Sequence, residues 1–431
     1  MLIPNKLICF LIEINKNRSC CHMIKLFKNN KAFRVKLMYE IFSSLGGGIF
    51  SMFMLLSVHL IYRNPIYTGI AGFLMSAPHI FSFAVGPIVD RRNKATIMRL
   101  TTFLEFSVLA LLFLTPLQEY FGVLFMFVVI FAYSIANLFE APAGTALLPQ
   151  IVQSEEIMEA NSLIEITTMI GGVAIAAVVF VILRSETDFR LIYGISAGFL
   201  ALAFVSSLFL KDPIEKAKDD AHPQKYVQDI KEGVRFIRRS ILLYTTVAGV
   251  VMALAVEIAA VNRPMFLEYH VGAQGYVVFA VMALLGGIIA SLFIGVLGKK
   301  FKIGQLLFAL FLLAGASRII FAYILPMHYI GGLIMMVIYS ALVSALGIVF
   351  TSLEQKIPPK DMVGRIDTIS STFSSIFFTI GALVGGFLGS IVPVVDHIFI
   401  YHGVNYIVIG ILIILVSSIR KLPKMSDTDS N

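Results

Sequence analysis

Two short polar stretches that follow long apolar segments decide the fold of this chain. The first reads GPIVDRRNK over residues 86–94, and the second reads GVLGKKFK over residues 295–302. Another pair of loops, beginning at Ile151 and at Lys356, repeats at nearly the same offset. A near-constant offset between matching loops indicates a duplicated chain, in which two halves have the same orientation.

The composition excludes most classes of soluble protein. Of 431 residues, 58% are hydrophobic and 14% are charged, whereas about 25% of an ordinary globular domain is charged. Twelve membrane helices of about 20 residues each would absorb this apolar content. A soluble enzyme, a disordered chain and a disulfide scaffold are therefore excluded. The three cysteines, Cys9, Cys20 and Cys21, leave the body of the chain without thiol chemistry.

Twelve apolar segments are long enough to cross a bilayer as helices. Strands are disfavoured because the segments do not alternate in polarity. We therefore predict an all-α polytopic membrane protein. The segments cover residues 37–62, 67–89, 95–117, 121–147, 162–183, 191–210, 241–266, 273–297, 303–325, 330–351, 368–392 and 398–419.

Lysine and arginine residues set the predicted orientation. With both termini in the cytoplasm, the cytoplasmic segments hold every lysine and most arginines. The exceptions are Arg63, Arg184, Arg190, Arg263 and Arg318. We therefore expect a multi-pass protein of the cell (cytoplasmic) membrane, with both termini cytoplasmic.

The long polar loop in the middle divides the chain into two sets of six segments. Within it, residues 226–239 carry an apolar helical stripe and a basic end, which predicts an amphipathic helix at the membrane surface; the alternative is a regulatory partner site. Residues 1–22 make a poor signal peptide. We expect either that translation starts at Met23 or that these residues form a short cytoplasmic extension. The predicted units are a cytoplasmic N-terminus (1–34), a six-helix bundle (35–210), a linker (211–240), a second six-helix bundle (241–419) and a cytoplasmic tail (420–431).

Three stretches carry a resemblance to a known family. Residues 86–94 resemble the G-x-x-x-D-R-x-x-R/K signature that follows the second span of the major facilitator superfamily. Residues 141–163 and 355–365 resemble loops of the branch that contains macrolide-efflux and enterobactin-exporter proteins. One departure is Gly171-Gly172 in segment 5, where the exporter motif has a Gly-Pro pair. The resemblance implies the major facilitator fold, with 12 transmembrane helices in two pseudo-symmetric six-helix bundles, and secondary transport by alternating access.

The resemblance also implies a gate at the loop after segment 2. Its residues are Gly86, Asp90, Arg91 and Lys94. In the family interpretation these charges hold neighbouring helix ends together in one transport state, and Asp90 faces a helix N-terminus such as that of segment 11. The alternative is that the charges only set topology.

An acid within a span is costly and invites a functional interpretation. Glu257 lies deep in segment 7, one of the segments that the resemblance places around a central cavity. It is a candidate for proton coupling or substrate binding. The alternative is a carboxylate that faces water or pairs structurally with Arg263.

Segments 1 and 4 carry further candidates for a proton or substrate site. Glu40 lies near the inner end of segment 1, and Tyr133, Asn137 and Glu140 recur at helical spacing in segment 4. For the two acids the alternative is pairing near the cytoplasmic interface. Glu105 in segment 3 and Arg318 in segment 9 lie in peripheral helices, so we expect buried structural pairing for both.

Several chemistries have no signature here. There is no phosphate-binding G-x-x-x-x-G-K-[ST] loop, no H-E-x-x-H metal motif and no loop large enough for a catalytic domain. We predict no cofactor, no metal site, no enzyme activity and no nucleic acid partner. The predicted function is proton-coupled export, by antiport, of amphiphilic or hydrophobic small molecules such as macrolide-type drugs. We expect the protein to act as a monomer in the lipid bilayer. The alternatives are a siderophore exporter, a lipid-handling carrier, or a transport-inactive sensor or scaffold.

Overall fold

The computed structural model describes residues 26–90, 92–115, 117–153, 156–184, 190–212, 223–359, 362–392, 395–420 and 422. Within these ranges the chain is helical and has no strand. Twelve of the helices are long and apolar enough to cross a membrane. The predicted all-α, twelve-span fold class is therefore confirmed.

The twelve spanning helices are α1 to α12 in chain order. Their bounds are Lys31–Tyr62 (α1), Pro65–Ser76 continuing through Ala77–Phe81 to Ser82–Asp90 (α2), Lys94–Leu114 (α3), Leu117–Ile151 (α4), Ile157–Arg184 (α5), Arg190–Leu208 (α6), Leu242–Val271 (α7), Ala273–Lys300 (α8), Ile303–Ile324 (α9), Tyr329–Lys356 (α10), Val363–Ile391 (α11) and Asp396–Leu415 (α12). A linker helix, Pro223–Arg239, joins the halves, and a short helix, Ser417–Arg420, follows α12.

Asparagines begin the first three helices. The side chains of Asn30, Asn64 and Asn93 accept hydrogen bonds from backbone N–H groups of α1, α2 and α3 respectively, each at 2.9 Å. An asparagine at this position satisfies a donor that has no partner within the helix. In α2, Pro78 lacks an N–H donor, and the chain there forms a 3-10 turn. The three asparagines therefore mark where the first three apolar segments begin as helices, and Pro78 marks a change of helix type within α2.

The two halves repeat the same packing. In the first half α1 packs on α5 and α6, α2 packs on α4, and α3 packs on α4 and α6. In the second half α7 packs on α11 and α12, α8 packs on α10, and α9 packs on α10 and α12. Each of these second-half contacts corresponds to a first-half contact between helices whose numbers are lower by six. The halves meet where α2 packs on α11 and α5 on α8, which is also a symmetric pair.

Because successive helices are antiparallel, the bundle has two ends. We call the end that carries the start of α1 and the linker helix the linker end, and the opposite end the far end. Near the far end, a Cβ atom on Gly69 of α2 would lie 2.6 Å from the Cα of Gly386 of α11. On the other side of α11, Gly381 and Gly385 lie against the backbone of α7. Such small residues let membrane helices approach closely, and α11 is thereby held tightly between α2 and α7.

The linker helix packs on α7 and α11 at the linker end. Ile237 is buried there, and Val234 packs against the same apolar cluster. Arg235, Arg238 and Arg239 are exposed. The remaining side chains of the predicted apolar stripe, like residues 1–22 and the C-terminal tail beyond residue 422, lie outside the described residues.

Candidate functional site: two cavities with membrane-embedded acids

A polar cavity of about 370 Å³ lies in the linker-end part of the first half. Its walls come mainly from α1 and α4, with contributions from α3 and α5. The predicted residues Glu40, Tyr133, Asn137 and Glu140 all line it. The helical spacing in α4 thus places its three polar side chains on one wall, facing Glu40 of α1. We call this space the first-half cavity.

Glu140 is held by hydroxyl groups from α1. The Tyr39 hydroxyl donates a hydrogen bond to Oε1 of Glu140, and Ser43 Oγ donates to the same oxygen at 2.7 Å. Tyr39 also contacts Thr102 Oγ1 of α3 at 2.8 Å. Among the described residues no cation forms an ion pair with Glu140. Its carboxylate therefore has neutral donors in place of a counter-ion.

Glu40 has a different environment, because it forms an ion pair with Lys36 one helical turn away. Lys36 is only 1% exposed, and its ammonium group lies 5.5 Å from the centre of the Tyr39 ring. A buried ammonium group without a partner would cost several kcal/mol. The pair therefore neutralises one charge of each sign at the cavity wall and leaves Glu140 as the acid without a counter-ion.

Glu105 lies behind Glu140, one turn along α3 from Thr102. Its side chain is 0% exposed, and it interacts directly with Glu140. Neither of its carboxylate oxygens has a hydrogen-bond donor among the described residues. The sequence predicted structural pairing for this acid in a peripheral helix. The structure instead puts it beside a second acid, because α3 packs directly on α4.

A second cavity, of about 410 Å³, lies between the halves. The first half contributes residues of α1 and α2, among them Ser76 and His79, and the second half contributes Glu257, Ser374 and Ser375. We call this space the interface cavity. The 3-10 turn of α2 is the segment that brings His79 to its wall.

Glu257 is the acid of the interface cavity. Its side chain is 6% exposed and packs against Gly381, whose Cβ position would lie 3.1 Å from Cβ of Glu257. Within the described chain, Glu257 has no hydrogen bond and no ion pair. Arg263 lies close enough to act electrostatically on this carboxylate, but the two groups form no direct ion pair, and the Nε of Arg263 has no hydrogen-bond partner among the described residues. The cavity thus contains a carboxylate without a hydrogen-bonded partner in the described residues.

At the far end, a cluster of charged groups links the two halves. Glu268 of α7 accepts from His59 Nε2 of α1 at 2.8 Å and pairs with Arg63, the residue after α1. Within the second half, His270 Nε2 of α7 lies 2.6 Å from Oδ1 of Asp396. Sequence reasoning missed this cluster, although an acid and a histidine close to predicted span ends were a visible signal.

The predicted gate at the loop after α2 is only partly described. Gly86 and Asp90 lie in the last turns of α2 without described side chains, and Arg91 lies outside the described residues. Lys94 begins α3, and its backbone N–H donates to Oδ2 of Asp212 at 2.8 Å. Asp212 follows α6, and a carboxylate suits the N-terminus of a helix. Its role was not predicted from the sequence.

Arg318 lies inside the second half and is 2% exposed. Its guanidinium carbon lies 4.6 Å from the ring centres of Tyr339 and Phe399 and 5.1 Å from that of Phe321. No carboxylate pairs with it among the described residues. The buried pairing expected for Arg318 is made with aromatic rings, whose faces attract the cation, and not with a carboxylate. Across all the residues that the structure describes, no three side chains of His, Cys, Asp or Glu cluster as metal ligands would.

Comparison with protein families identifies the chain's relatives. The family model described as Major Facilitator Superfamily matches residues 38–376. Macrolide efflux protein A of Streptococcus pyogenes is 23% identical over 360 residues, which is 81% of this chain and 86% of that protein. The Bacillus subtilis MFS-type transporter YkuC is 24% identical over 429 residues, covering 93% of this chain and 94% of that protein.

Solved structures share the fold. The nucleoside transporter NupG superposes with a TM-score of 0.69 at 14% identity, covering 90% of this chain and 99% of NupG. A D-xylose-proton symporter superposes with a TM-score of 0.66 at 13% identity, covering 91% and 98%. At these identities the likeness concerns the fold alone. With the sequence relatives, it confirms the resemblance that the loop motifs indicate.

Proposed function

The chain belongs to the major facilitator superfamily, and on that premise we propose that it is a proton-coupled exporter, working by antiport, of amphiphilic or hydrophobic small molecules such as macrolide-type drugs. That it is a multi-pass membrane transporter follows from its family and its twelve spans. The cargo, the direction and the coupling ion are the proposal.

The relatives support the direction and the class of cargo. Proteins from Streptococcus pyogenes and Enterococcus faecalis that match this chain carry the name macrolide efflux protein A. The chain's own composition agrees, because its 36 Phe and 18 Met supply the adaptable apolar surface that a large amphiphile needs. The first-half cavity adds hydroxyl, amide and carboxyl groups that would orient such a molecule.

The observation that carries proton coupling is the carboxylate of Glu257, which faces the interface cavity without a partner. A carboxylate between the two halves would take up a proton in one transport state and release it in the other, which is the requirement for coupling. A proton that moves through a potential of 100 mV gains about 2.3 kcal/mol. That energy is enough to bias the cargo about tenfold or more.

We further propose that the linker end faces the cytoplasm of a bacterial cell. The distribution of lysine and arginine supports this orientation. With the far end held by the Glu268 cluster and the polar cavity near the linker end, the structure then corresponds to an inward-facing state. Export would proceed by breaking the far-end contacts while the linker end closes. The proposed transporter acts as a monomer, since each chain holds both halves and both cavities.

The test is accumulation of a panel of dyes and macrolide-type antibiotics in cells that express the chain, with and without a protonophore. We expect lower accumulation that the protonophore abolishes. Glu257→Gln is expected to lose the protonophore-sensitive part. The matched control is Glu165→Gln, because Glu165 is a spanning acid that is exposed on the surface of α5.

Two outcomes would contradict the proposal in different ways. If the Glu257 variant exports like the wild type while remaining sensitive to the protonophore, Glu257 is not the coupling group. If no compound changes in accumulation while the protein is in the membrane, drug export is wrong. A siderophore, a lipid or an imported solute would then become the cargo to test.

A further inference from the structure

Behind the wall of the first-half cavity lies a buried acid that has no role in the proposed coupling at Glu257. Glu105 of α3 is fully buried, and its neighbours are Glu140, Tyr39, Thr102 and Tyr133. Neither carboxylate oxygen receives a hydrogen bond from any described residue. A carboxyl group in this position, within a membrane span, needs a partner to be tolerated.

We infer that Glu105 and Glu140 hold one proton between them and form a proton-binding dyad at the back of the first-half cavity. The inference deepens the proposed function, because its role in transport rests on proton coupling. It adds a second proton site, in the first half of the molecule and at a distance from Glu257.

The hydrogen bonds of Glu140 are consistent with a shared proton. Both hydroxyl donors, Tyr39 and Ser43, bind Oε1 of Glu140. Oε2 of Glu140 is therefore the oxygen left to accept a proton carried by Glu105. That single bond would satisfy one oxygen of Glu105 and complete the coordination of Glu140.

The charges around the dyad argue against two ionised carboxylates. The members of the dyad lie on α3 and α4, which pack on α1, α2 and α6. The charged groups of α1 at the same cavity are Lys36 and Glu40, which pair with each other. No cation within the described chain pairs with either member of the dyad. Two adjacent carboxylates in a medium of low dielectric repel strongly, and sharing one proton relieves the repulsion.

The two members of the dyad have different access to solvent. Glu140 lines the first-half cavity, whereas Glu105 is sealed behind it. A proton can therefore enter or leave through Glu140 on the linker-end side of the bundle. Glu105 is a positioning residue, which keeps the proton bound when the cavity contains water.

Infrared spectroscopy of the full chain in lipid nanodiscs tests the dyad without a cargo. The readout is the C=O stretch of protonated carboxyl groups at neutral pH. The double variant E105Q/E140Q is expected to lose the intensity of one carboxyl group. E105Q alone is expected to lose the same intensity, because a shared proton needs both carboxyl groups of the dyad. E165Q, the exposed control on α5, is expected to lose none.

A loss of no carboxyl band, or of two, in the double variant would overturn the inference. Y39F provides a variant that keeps both acids. It is expected to retain the band at a shifted frequency, because Glu140 loses a donor; a band at the wild-type frequency would put the proton elsewhere. Size-exclusion chromatography and thermal unfolding show that each variant is folded before its spectrum is compared.

Transport measured on the same variants separates this inference from the proposed function. If the dyad band is found but wild-type export does not respond to a protonophore, the dyad stands and the coupling proposal is wrong. If export is proton-driven and the band is absent, the dyad is wrong and the proposed function stands.

Discussion

The contact between α2 and α11 near the far end gives a sharp test of how the bundle opens. Gly69→Ala adds one methyl group where its Cβ would lie 2.6 Å from Cα of Gly386 and 2.8 Å from the carbonyl oxygen of Ala382. Backbone atoms of another helix cannot rotate away as a side chain can. The two helices must therefore separate near the far end.

The magnitude follows from the cost of overpacking. An extra methyl group in a packed contact costs about 1–3 kcal/mol. If the cost falls only on the state closed at the far end, the ratio of closed to open molecules falls by about 5- to 150-fold. Alanine also favours a helix over glycine by about 1 kcal/mol. A control variant must therefore also replace a helical glycine by alanine, so that both variants have the same gain in helix propensity.

Gly249→Ala is the matched control. Gly249 lies in the spanning helix α7, and a Cβ there would meet nothing within 4 Å. It has the same change in helix propensity without the clash. A difference between the two variants therefore measures the packing contact alone.

The assay is pulsed electron paramagnetic resonance between spin labels at Ile61 and Tyr269. Both positions are exposed, and they lie at the far ends of α1 and α7, in different halves. The native cysteines at 9, 20 and 21 are first replaced by serine. The Gly69 variant is expected to gain a population with a longer distance, and the Gly249 variant is expected to match the parent. Equal distance distributions for both variants would refute the view that this contact closes the far end.

Three further substitutions test charges in the membrane-spanning part. Glu268→Gln weakens the pairing with His59 and Arg63, so it is expected to widen the far end in the same spin-label assay; an unchanged distance would make the cluster incidental to closure. Glu40→Gln leaves the ammonium of Lys36 buried without its partner and is expected to lower the thermal unfolding temperature, whereas the double variant K36M/E40Q is expected to recover much of the loss; a double variant as unstable as the single one would contradict the pairing argument. Arg318→Met is expected to be at least as stable as the wild type, because it removes a buried charge that no carboxylate pairs with among the described residues, whereas Arg318→Lys keeps that charge and is expected to be less stable. Thermal unfolding of the purified proteins compares them, and a lysine variant more stable than the methionine variant would refute this reasoning.

The spans and the duplication were predictable because they are local properties. An apolar stretch of about 20 residues crosses a bilayer whatever its neighbours are. The loops at residues 86–94 and 295–302 match at a near-constant offset, so the duplication is visible in one sequence. The family resemblance depended on the same short loops. The departure at Gly171-Gly172 did not disturb the fold.

Part of the candidate site also followed from local geometry. Tyr133, Asn137 and Glu140 lie three and four residues apart, so a helix puts them on one face, and all three line the first-half cavity. The sequence of α4 does not determine which residues lie opposite that face. The wall opposite it, with Lys36 and Glu40, comes from a helix about a hundred residues earlier.

The tertiary structure alone decided which charges become neighbours. Glu105 lies beside Glu140, Arg318 lies among three aromatic rings, and Glu268 joins His59 across the halves. The contacts of Glu105 with Glu140, of Arg318 with Tyr339 and Phe399, and of Glu268 with His59 join different helices, at sequence separations that follow no period. Of the three rings around Arg318, Phe321 belongs to the same helix. The hydrophobic pattern determines that a helix spans the membrane. Because lipid is as apolar as the helix surface, the pattern does not determine which face of the helix turns inward. Close packing of small residues and the satisfaction of buried polar groups make that choice, and both act only once the helices are assembled.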